Sequence, residues 1–405
     1  MAGMEERFAP PECFAAALDQ LHDLVAQQVG TNDFGPDDYM PGLKVLLMSM
    51  DYDPHFSEQG RRIAWGEVIN ALSGRASAIK SMAETPGFDR HAITSPLVIT
   101  GVPRTGTTAL HKLMAVDPQF QGLQTWLLGA PMPRPPRETW ESMPQFQQTL
   151  EQLKRRYEAS PESRVAHEMV AEEVDECCFV LRQGFASNLW TCAWSAATYD
   201  AWWQRQNELP SYRHFSRTLQ LIGSNETEKR WLLKNPGHIA KLDVLFAVFP
   251  DALVVQTHRD PAKAVPSLCS LLMHLHPIME EGRYQQRAHI MAARETAKWA
   301  AAVRDAEAVR QARPGQILDV IHGDFHRQPM QTIERIYAFA RLDLSPEARD
   351  AMAKRIAIKP ELSHGVHHYD VADFGMTEDE IRERFGGYID QFDLREKQST
   401  QKGAV

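Results

Sequence analysis

The spacing of apolar positions changes along the chain, and the changes predict where helices and strands lie. Residues 13–25 and 61–82 carry apolar side chains every three or four positions, which is the period of an amphipathic helix. Short apolar runs rich in branched residues, typical of buried strands, follow at 95–100, 229–233, 251–257 and 317–321. The N-terminal part is therefore expected to be helical, and the strands to begin only after it.

A helical pattern follows each of these runs, at 107–116, 239–249, 261–272 and about 332–340. Strands that alternate with helices predict an α/β fold, in which a central, mostly parallel sheet carries helices on both faces. We expect a helical N-terminal region (1–92) packed on the core and an α/β core (93–345) with a helical insertion at about 140–225. A helical or loop extension (346–405) follows.

Large aromatic side chains crowd the second part of the insertion, at Phe185, Trp190, Trp194, Tyr199, Trp202 and Trp203. One interpretation is a core between helices, which aromatic residues commonly fill, and we favour it. The other is an apolar pocket for a substrate.

Composition and charge narrow the range of partners and locations. The 405 residues are 43% hydrophobic and 24% charged, with a formal net charge of −9, so a broad basic face for nucleic acid is not expected. The five cysteines include no zinc-type pair of motifs, which favours free thiols in a reducing cytoplasm. Neither a signal peptide at the first residues nor an apolar run of about 18 residues is found.

Residues 101–108, Gly-Val-Pro-Arg-Thr-Gly-Thr-Thr, have the glycine frame of a phosphate-binding loop. They stand between a strand and a helix, so backbone N–H groups and the helix N-terminus would converge on an anion, with Arg104 adding a positive charge. Thr107 occupies the place of the lysine that nucleotide hydrolases use, which points away from ATP hydrolysis. The alternative is a tight turn whose glycines only reverse the chain.

A second candidate anion site follows the run at 251–257. Arg259 stands at the end of this strand and Ser267 eight positions later, just over two helical turns away. Both side chains can therefore share one anion.

Together, the loop at 103–108 and residues 249–261 with Ser267 resemble the sulfotransferase family, in particular the large bacterial-type enzymes with a long helical N-terminal part. The resemblance spans about residues 95–340. It implies that the donor is 3′-phosphoadenylyl sulfate (PAPS). It also implies that the 5′-phosphosulfate is lined by Arg104, Thr105, Gly106, Thr107 and Thr108, and the 3′-phosphate by Arg259 and Ser267.

The chain departs from the cytosolic small-molecule sulfotransferases at two places. Arg104 replaces the usual lysine of the loop, which keeps the charge and adds a bidentate fork. The C-terminal Arg-Lys-Gly loop of those enzymes has no clear counterpart, and residues 364–369 are the candidate substitute.

Sulfuryl transfer needs a base for the acceptor and a cation for the departing oxygen. The resemblance assigns these roles to His238 and Lys234, 21 and 25 positions before Arg259. A carboxylate from the acidic segment at 168–176, such as Glu173, is the alternative base, with a pKa raised by a buried helix edge. No metal motif is present and no metal is expected.

The resemblance implies a sulfotransferase that acts on a hydroxyl or amine of a small acceptor, with an apolar, lipid-like one suggested by the aromatic residues. A P-loop kinase or NTPase would need a magnesium ligand, for which residues 322–324, His-Gly-Asp, are the nearest candidate. A PAPS-binding module without catalysis is the third possibility, and Lys234 and His238 argue against it. The sequence is silent on the oligomeric state.

Overall fold

A five-stranded, all-parallel sheet forms the centre of the protein, in a computed structural model that describes residues 9–159, 164, 168–358 and 370–395. The strands are β1 (Leu97–Gly101), β2 (Phe120–Gln121), β3 (Arg230–Lys234), β4 (Leu253–His258) and β5 (Ile317–Ile321). Their spatial order is β2-β3-β1-β4-β5, so β1 lies in the middle. The α/β fold predicted from the alternating pattern is thereby confirmed.

Four of the five strands fall on the predicted apolar runs, shifted by up to two residues. The short β2 was not predicted, because two residues carry no periodic signal. Its backbone pairs with Arg230 and Trp231 of β3, which fixes it at the edge of the sheet.

Helices cover both faces of the sheet because successive strand residues point to opposite sides. Val98 and Val254 face one side, packed with α9 (Leu209–Ile222), α10 (Leu242–Val248), α11 (Pro261–Met273) and α13 (Tyr284–Ala312). Ile99 and Val255 face the other, packed with α4 (Thr107–Met114) and α15 (Pro329–Ala340). Each strand residue is thus buried whichever way it points, which explains the continuous apolar runs in the sequence.

The remaining helices lie outside this sandwich. Those before the sheet are α1 (Leu18–Val29), α2 (Met40–Tyr52) and α3 (Glu58–Glu84). Those in the insertion are α5 (Thr125–Leu128), α6 (Pro144–Ala159), α7 (Cys178–Leu181) and α8 (Ala197–Trp203). Those in the second half are α12 (His276–Met279), α14 (His322–Arg327), α16 (Pro346–Ile358), α17 (Glu378–Phe385) and α18 (Gly387–Gln391). None of the described helices is long and apolar enough to cross a membrane.

The aromatic residues of the insertion form a separate core with the N-terminal helices. Five of them are at most 2% exposed, namely Phe185, Trp190, Trp194, Tyr199 and Trp203. They pack with side chains of α1, α2 and α3, and the rings of Phe185 and Trp190 stack at 5.5 Å. The interpretation as a packed core is confirmed for these five, while Trp202 is half-buried.

The acidic segment before α7 is not helical, contrary to the sequence prediction. Residues 168–176 run as irregular backbone, and Val174 forms a bridge with Gln124. The carbonyls of Ala171 and Glu173 accept hydrogen bonds from the backbone of α5 instead of from their own segment. Pairing with a distant part of the chain therefore overrides the local helical pattern.

Two glycines of α3 differ sharply in the space around them, which yields a stability prediction. A Cβ atom at Gly60 would lie 1.9 Å from the carbonyl oxygen of Met279, whereas one at Gly66 would have no described atom within 4 Å. We expect Gly60→Ala to lower the free energy of unfolding by about 1–3 kcal/mol through overpacking. Gly66→Ala should raise it by about 0.5–1 kcal/mol, because alanine favours the helix. Urea unfolding measures both, and equal effects would contradict this account.

Candidate functional site

The glycine loop leaves the carboxyl end of β1 and enters α4 at the edge of the sheet. Gly101 has a φ of 151°, and a Cβ atom there would lie 2.4 Å from the carbonyl oxygen of Thr257. Gly106, with a φ of 92°, is the N-cap of α4. The first N–H groups of a helix have no acceptor within it, so those at Gly106, Thr107 and Thr108 are directed toward the space above the loop.

The three threonines of the loop have different roles. Thr105 Oγ1 donates to the carbonyl of Val102 at 2.7 Å and lies 2.6 Å from Thr257 Oγ1 of β4. Its side chain therefore anchors the loop, and only its backbone N–H can contribute to an anion site. Thr107 is buried at the first position of α4, and Thr108 Oγ1 accepts a hydrogen bond from Lys234 Nζ at 3.2 Å.

Arg104, Arg259 and Ser267 meet on one side of the loop. Arg104 Nε donates to Ser267 Oγ at 3.2 Å, and Arg259 Nη1 donates to the carbonyl of Arg104, also at 3.2 Å. Arg104 adopts a left-handed backbone with a φ of 70°, an unfavourable conformation for a residue with a side chain. Within the described chain, the buried Nε of Arg259 has no hydrogen-bond partner. The two sequence-predicted anion sites are thus neighbours that share Arg104.

Lys234 and Glu176 meet on the other side. Lys234 is 1% exposed at the end of β3, and its ammonium group forms an ion pair with Glu176 Oε1 while it donates to Thr108. The carbonyl of Lys234 also accepts a hydrogen bond from the N–H of Cys177, which holds the acidic segment against the strand. A buried cation with a carboxylate partner therefore lies directly beside the N-terminus of α4.

His238 is fully buried in a short 3₁₀ helix, Pro236–Lys241, beyond Lys234. Its Nδ1 lies 2.6 Å from the hydroxyl of Tyr212, and its Nε2 has no partner among the described residues. Burial lowers its pKa to about 3, so the ring is neutral at physiological pH. Such a ring can accept a proton at Nε2 only in the tautomer in which Nδ1–H donates to Tyr212.

Glu173, the alternative base, is held away from the Lys234 pair by two cations. Its carboxylate lies 2.7 Å from Lys112 Nζ and 3.1 Å from Arg355. Burial raises the pKa of Glu173, but these two cations outweigh it and leave the pKa below its usual value. The raised pKa expected from the sequence is therefore wrong for this residue, and Glu176 is the carboxylate of the segment that contacts Lys234.

The family model for sulfotransferases matches residues 96–346, which include the whole sheet and every contact described around the loop. The chain belongs to the sulfotransferase family. It is a transferase enzyme, as the resemblance of its two anion-site motifs predicted.

Solved structures of two bacterial enzymes are similar to this sulfotransferase over nearly its full length. Sulfotransferase STF1 from Mycobacterium tuberculosis H37Rv is 36% identical with a TM-score of 0.83, covering 93% of this chain and 100% of the other. Sulfotransferase STF9 from Mycobacterium avium is 25% identical with a TM-score of 0.85, covering 93% and 97%. A comparison with curated protein sequences gives no match.

His322 is a site residue of the sulfotransferase that sequence reasoning treated only as part of a magnesium motif. It follows β5, and its ring carbon would lie 3.2 Å from a Cβ atom at Gly106. Burial, then the positive charge of Arg259, lowers its pKa to about 3. Asp324 of the same motif pairs with Arg327. No local signal marked His322, since only the sheet brings it to the loop.

Two sequence expectations concern features beyond these contacts. Residues 364–369, the candidate substitute for the C-terminal loop of the cytosolic enzymes, lie outside the described residues. In the described ranges, no group of three or more metal-ligating side chains is arranged to hold an ion.

Buried histidines make the stability of the sulfotransferase depend on pH. Burial lowers the pKa of both His111 and His238 to about 3, whereas an unfolded histidine titrates near about 6.5. Between these values the unfolded chain binds more protons, so stability is lost as the pH falls, by about 1.4 kcal/mol per pH unit for each group. Urea midpoints at pH 7 and pH 5 should show that His111→Gln reduces this loss. The exposed His91 provides the control, and an equal reduction in His91→Gln would contradict the assignment.

Proposed function

We propose that this sulfotransferase transfers the sulfuryl group of PAPS to a hydroxyl or amine of a small acceptor, and releases 3′,5′-adenosine bisphosphate (PAP). The observation that carries the proposal is the meeting of two guanidinium groups, Arg104 and Arg259, with Ser267 beside a helix N-terminus. A donor with a 5′-phosphosulfate and a separate 3′-phosphate requires two adjoining anion sites, and this arrangement suits both.

The residues around the loop fit the two anionic ends of such a donor. The N–H groups at Gly106, Thr107 and Thr108 suit the phosphosulfate, because a helix N-terminus favours negative charge. Arg259 and Ser267 suit the 3′-phosphate, and the unpartnered, buried Nε of Arg259 supports an anion there, since a buried donor is costly to leave unpaired. Arg104 lies between the two positions and can serve either.

Lys234 is proposed to stabilise the oxygen that departs from sulfur. In-line sulfuryl transfer builds negative charge on the bridging oxygen, and a fixed cation there lowers the barrier. Glu176 and Thr108 hold the Lys234 ammonium group beside the N-terminus of α4. The ion pair also compensates the cost of burying the lysine in the absence of a ligand.

His238 is proposed as the base that takes the proton of the acceptor. Tyr212 can hold the tautomer with a free Nε2, as a hydrogen-bonded partner orients the histidine of other acid–base sites. The negative charge of a bound donor would raise the low pKa that burial imposes on the ring. Glu176 is the competing base, because its carboxylate lies against Lys234.

The identity of the acceptor and the cellular location follow from weaker constraints. An apolar acceptor stays a prediction from the sequence, because five of the six aromatic rings at 185–203 lie in the core. Five free cysteines support a reducing compartment, and we infer the cytoplasm.

A comparison of nucleotides tests the donor. Ligands that bind the folded state raise the melting temperature, so PAP and PAPS should stabilise the enzyme more than ATP or AMP at equal concentration. Arg259→Ala should remove most of the difference between PAP and AMP, because AMP lacks only the 3′-phosphate. Calorimetric titration gives the affinities. A preference for ATP with magnesium would overturn the proposal.

Paired substitutions test the base. We expect His238→Ala to lower kcat by about 10²–10⁴-fold while the affinity for PAP stays within about two-fold, since a base acts only in the transition state. Tyr212→Phe should fall between this variant and the wild type. If His238→Ala kept most of the activity and Glu176→Gln lost it, Glu176 would be the base.

A further inference from the structure

The described C-terminal segment, residues 370–395, packs against the turn that carries Arg259. α17 contacts α11, which begins immediately after this turn and bears Ser267. Three side chains of the turn and of the first helical residues, at positions 258, 260 and 263, each bond to a residue of this segment. The 3′-phosphate side of the site is thus bordered by the far end of the chain.

Asp260 makes the most buried of these contacts. Its side chain is 0% exposed, and its Oδ1 caps α11 by accepting from the N–H of Ala262 at 2.9 Å. Its Oδ2 accepts from Arg382 of α17 twice, from Nη2 at 2.8 Å and from Nε at 3.2 Å. Both carboxylate oxygens are therefore satisfied, one by the helix and one by the C-terminal arginine.

His258 fixes the other side of Arg259. Its Nδ1 lies 3.0 Å from the hydroxyl of Tyr388 in α18, and its ring stacks on Phe392 at 3.9 Å. Lys263, one residue past the first turn of α11, lies 2.5 Å from Glu378. Arg259 is consequently the one residue between two neighbours whose side chains are both held by the C-terminal segment.

The charge of Asp260 matters as much as its geometry. A carboxylate next to Arg259 in sequence, buried and without a cation, would repel an anion at Arg259 and compete for its guanidinium group. Arg382 neutralises it, and is itself held in place by Glu378 at 2.9 Å. The positive field at Arg259 and Ser267 therefore depends on a residue more than 110 positions away, since the contact spans 122 positions.

We propose that Arg382 is a positioning residue for the 3′-phosphate site, which acts through Asp260 to hold Arg259 and Ser267 in place and to keep their field positive. The inference rests on the proposed PAPS donor. Arg382 itself need not touch the ligand: it lies behind the turn, and its partner is the carboxylate that caps α11.

The difference between PAP and AMP isolates this role, because the two nucleotides differ only in the 3′-phosphate. We expect Arg382→Gln to raise the Kd for PAP about ten-fold, which is the effect of about 1.4 kcal/mol, and to leave the Kd for AMP within about two-fold. The KM for PAPS should rise in parallel, with kcat at saturating donor little changed. Arg382→Lys keeps the charge but loses the two-nitrogen contact, and should give an intermediate PAP-to-AMP ratio.

Arg384→Gln is the matched control, since it removes the same charge from the exposed face of the same helix. Its PAP-to-AMP ratio should equal that of the wild type. If Arg382→Gln does not fold, the comparison of Arg382→Lys with Arg384→Gln decides. A normal ratio in the Arg382 variants would overturn the positioning role alone, whereas a wild type that does not prefer PAP to AMP would overturn the proposed donor and the positioning role together.

Discussion

The close approach of the carboxyl ends of β1 and β4 is the constraint on which the rest of the site depends. Gly101 has no Cβ, so its backbone can lie against the carbonyl of Thr257 where any side chain would be within 2.4 Å of that oxygen. The hydroxyls of Thr105 and Thr257 then join the loop to β4. Because the two strands are parallel neighbours, the turns that follow them emerge side by side, and only this proximity lets Arg104 reach Ser267.

The polar groups around the loop are organised before any ligand binds. Lys234 is almost fully buried, and a buried ammonium group without a partner would be costly or neutral, yet Glu176 and Thr108 keep it charged and oriented. Arg104 is held in an unfavourable backbone conformation by contacts at both its carbonyl and its guanidinium group. Strain and buried charge at one place are what a preorganised site requires, because groups already in position need not reorganise during the reaction.

The sequence predicted what depends on neighbours along the chain and missed what depends on distant ones. The strands, the glycine loop and the spacing of Arg259 and Ser267 are local patterns, and they lie where the sequence placed them. The pairing of Lys234 with Glu176 crosses 58 positions. The acidic segment was predicted as helix from its charge spacing, yet its carbonyls bond to α5, an alternative that periodicity cannot register. The proximity of His322 to Gly106 likewise arises only from the order of β1, β4 and β5.

Two guanidinium groups beside each other explain why the 3′-phosphate side needs support from outside the sheet. Arg104 and Arg259 repel one another, and a nearby cation makes each less stable until an anion enters between them. Asp260 would relieve that repulsion at the expense of anion binding if it turned toward Arg259. Its two oxygens are instead engaged by the helix N-terminus and by Arg382, so the carboxylate is directed away from the site. The repulsion is then left for a bound anion to relieve, which couples occupancy of the site to the stability of the turn and of α11.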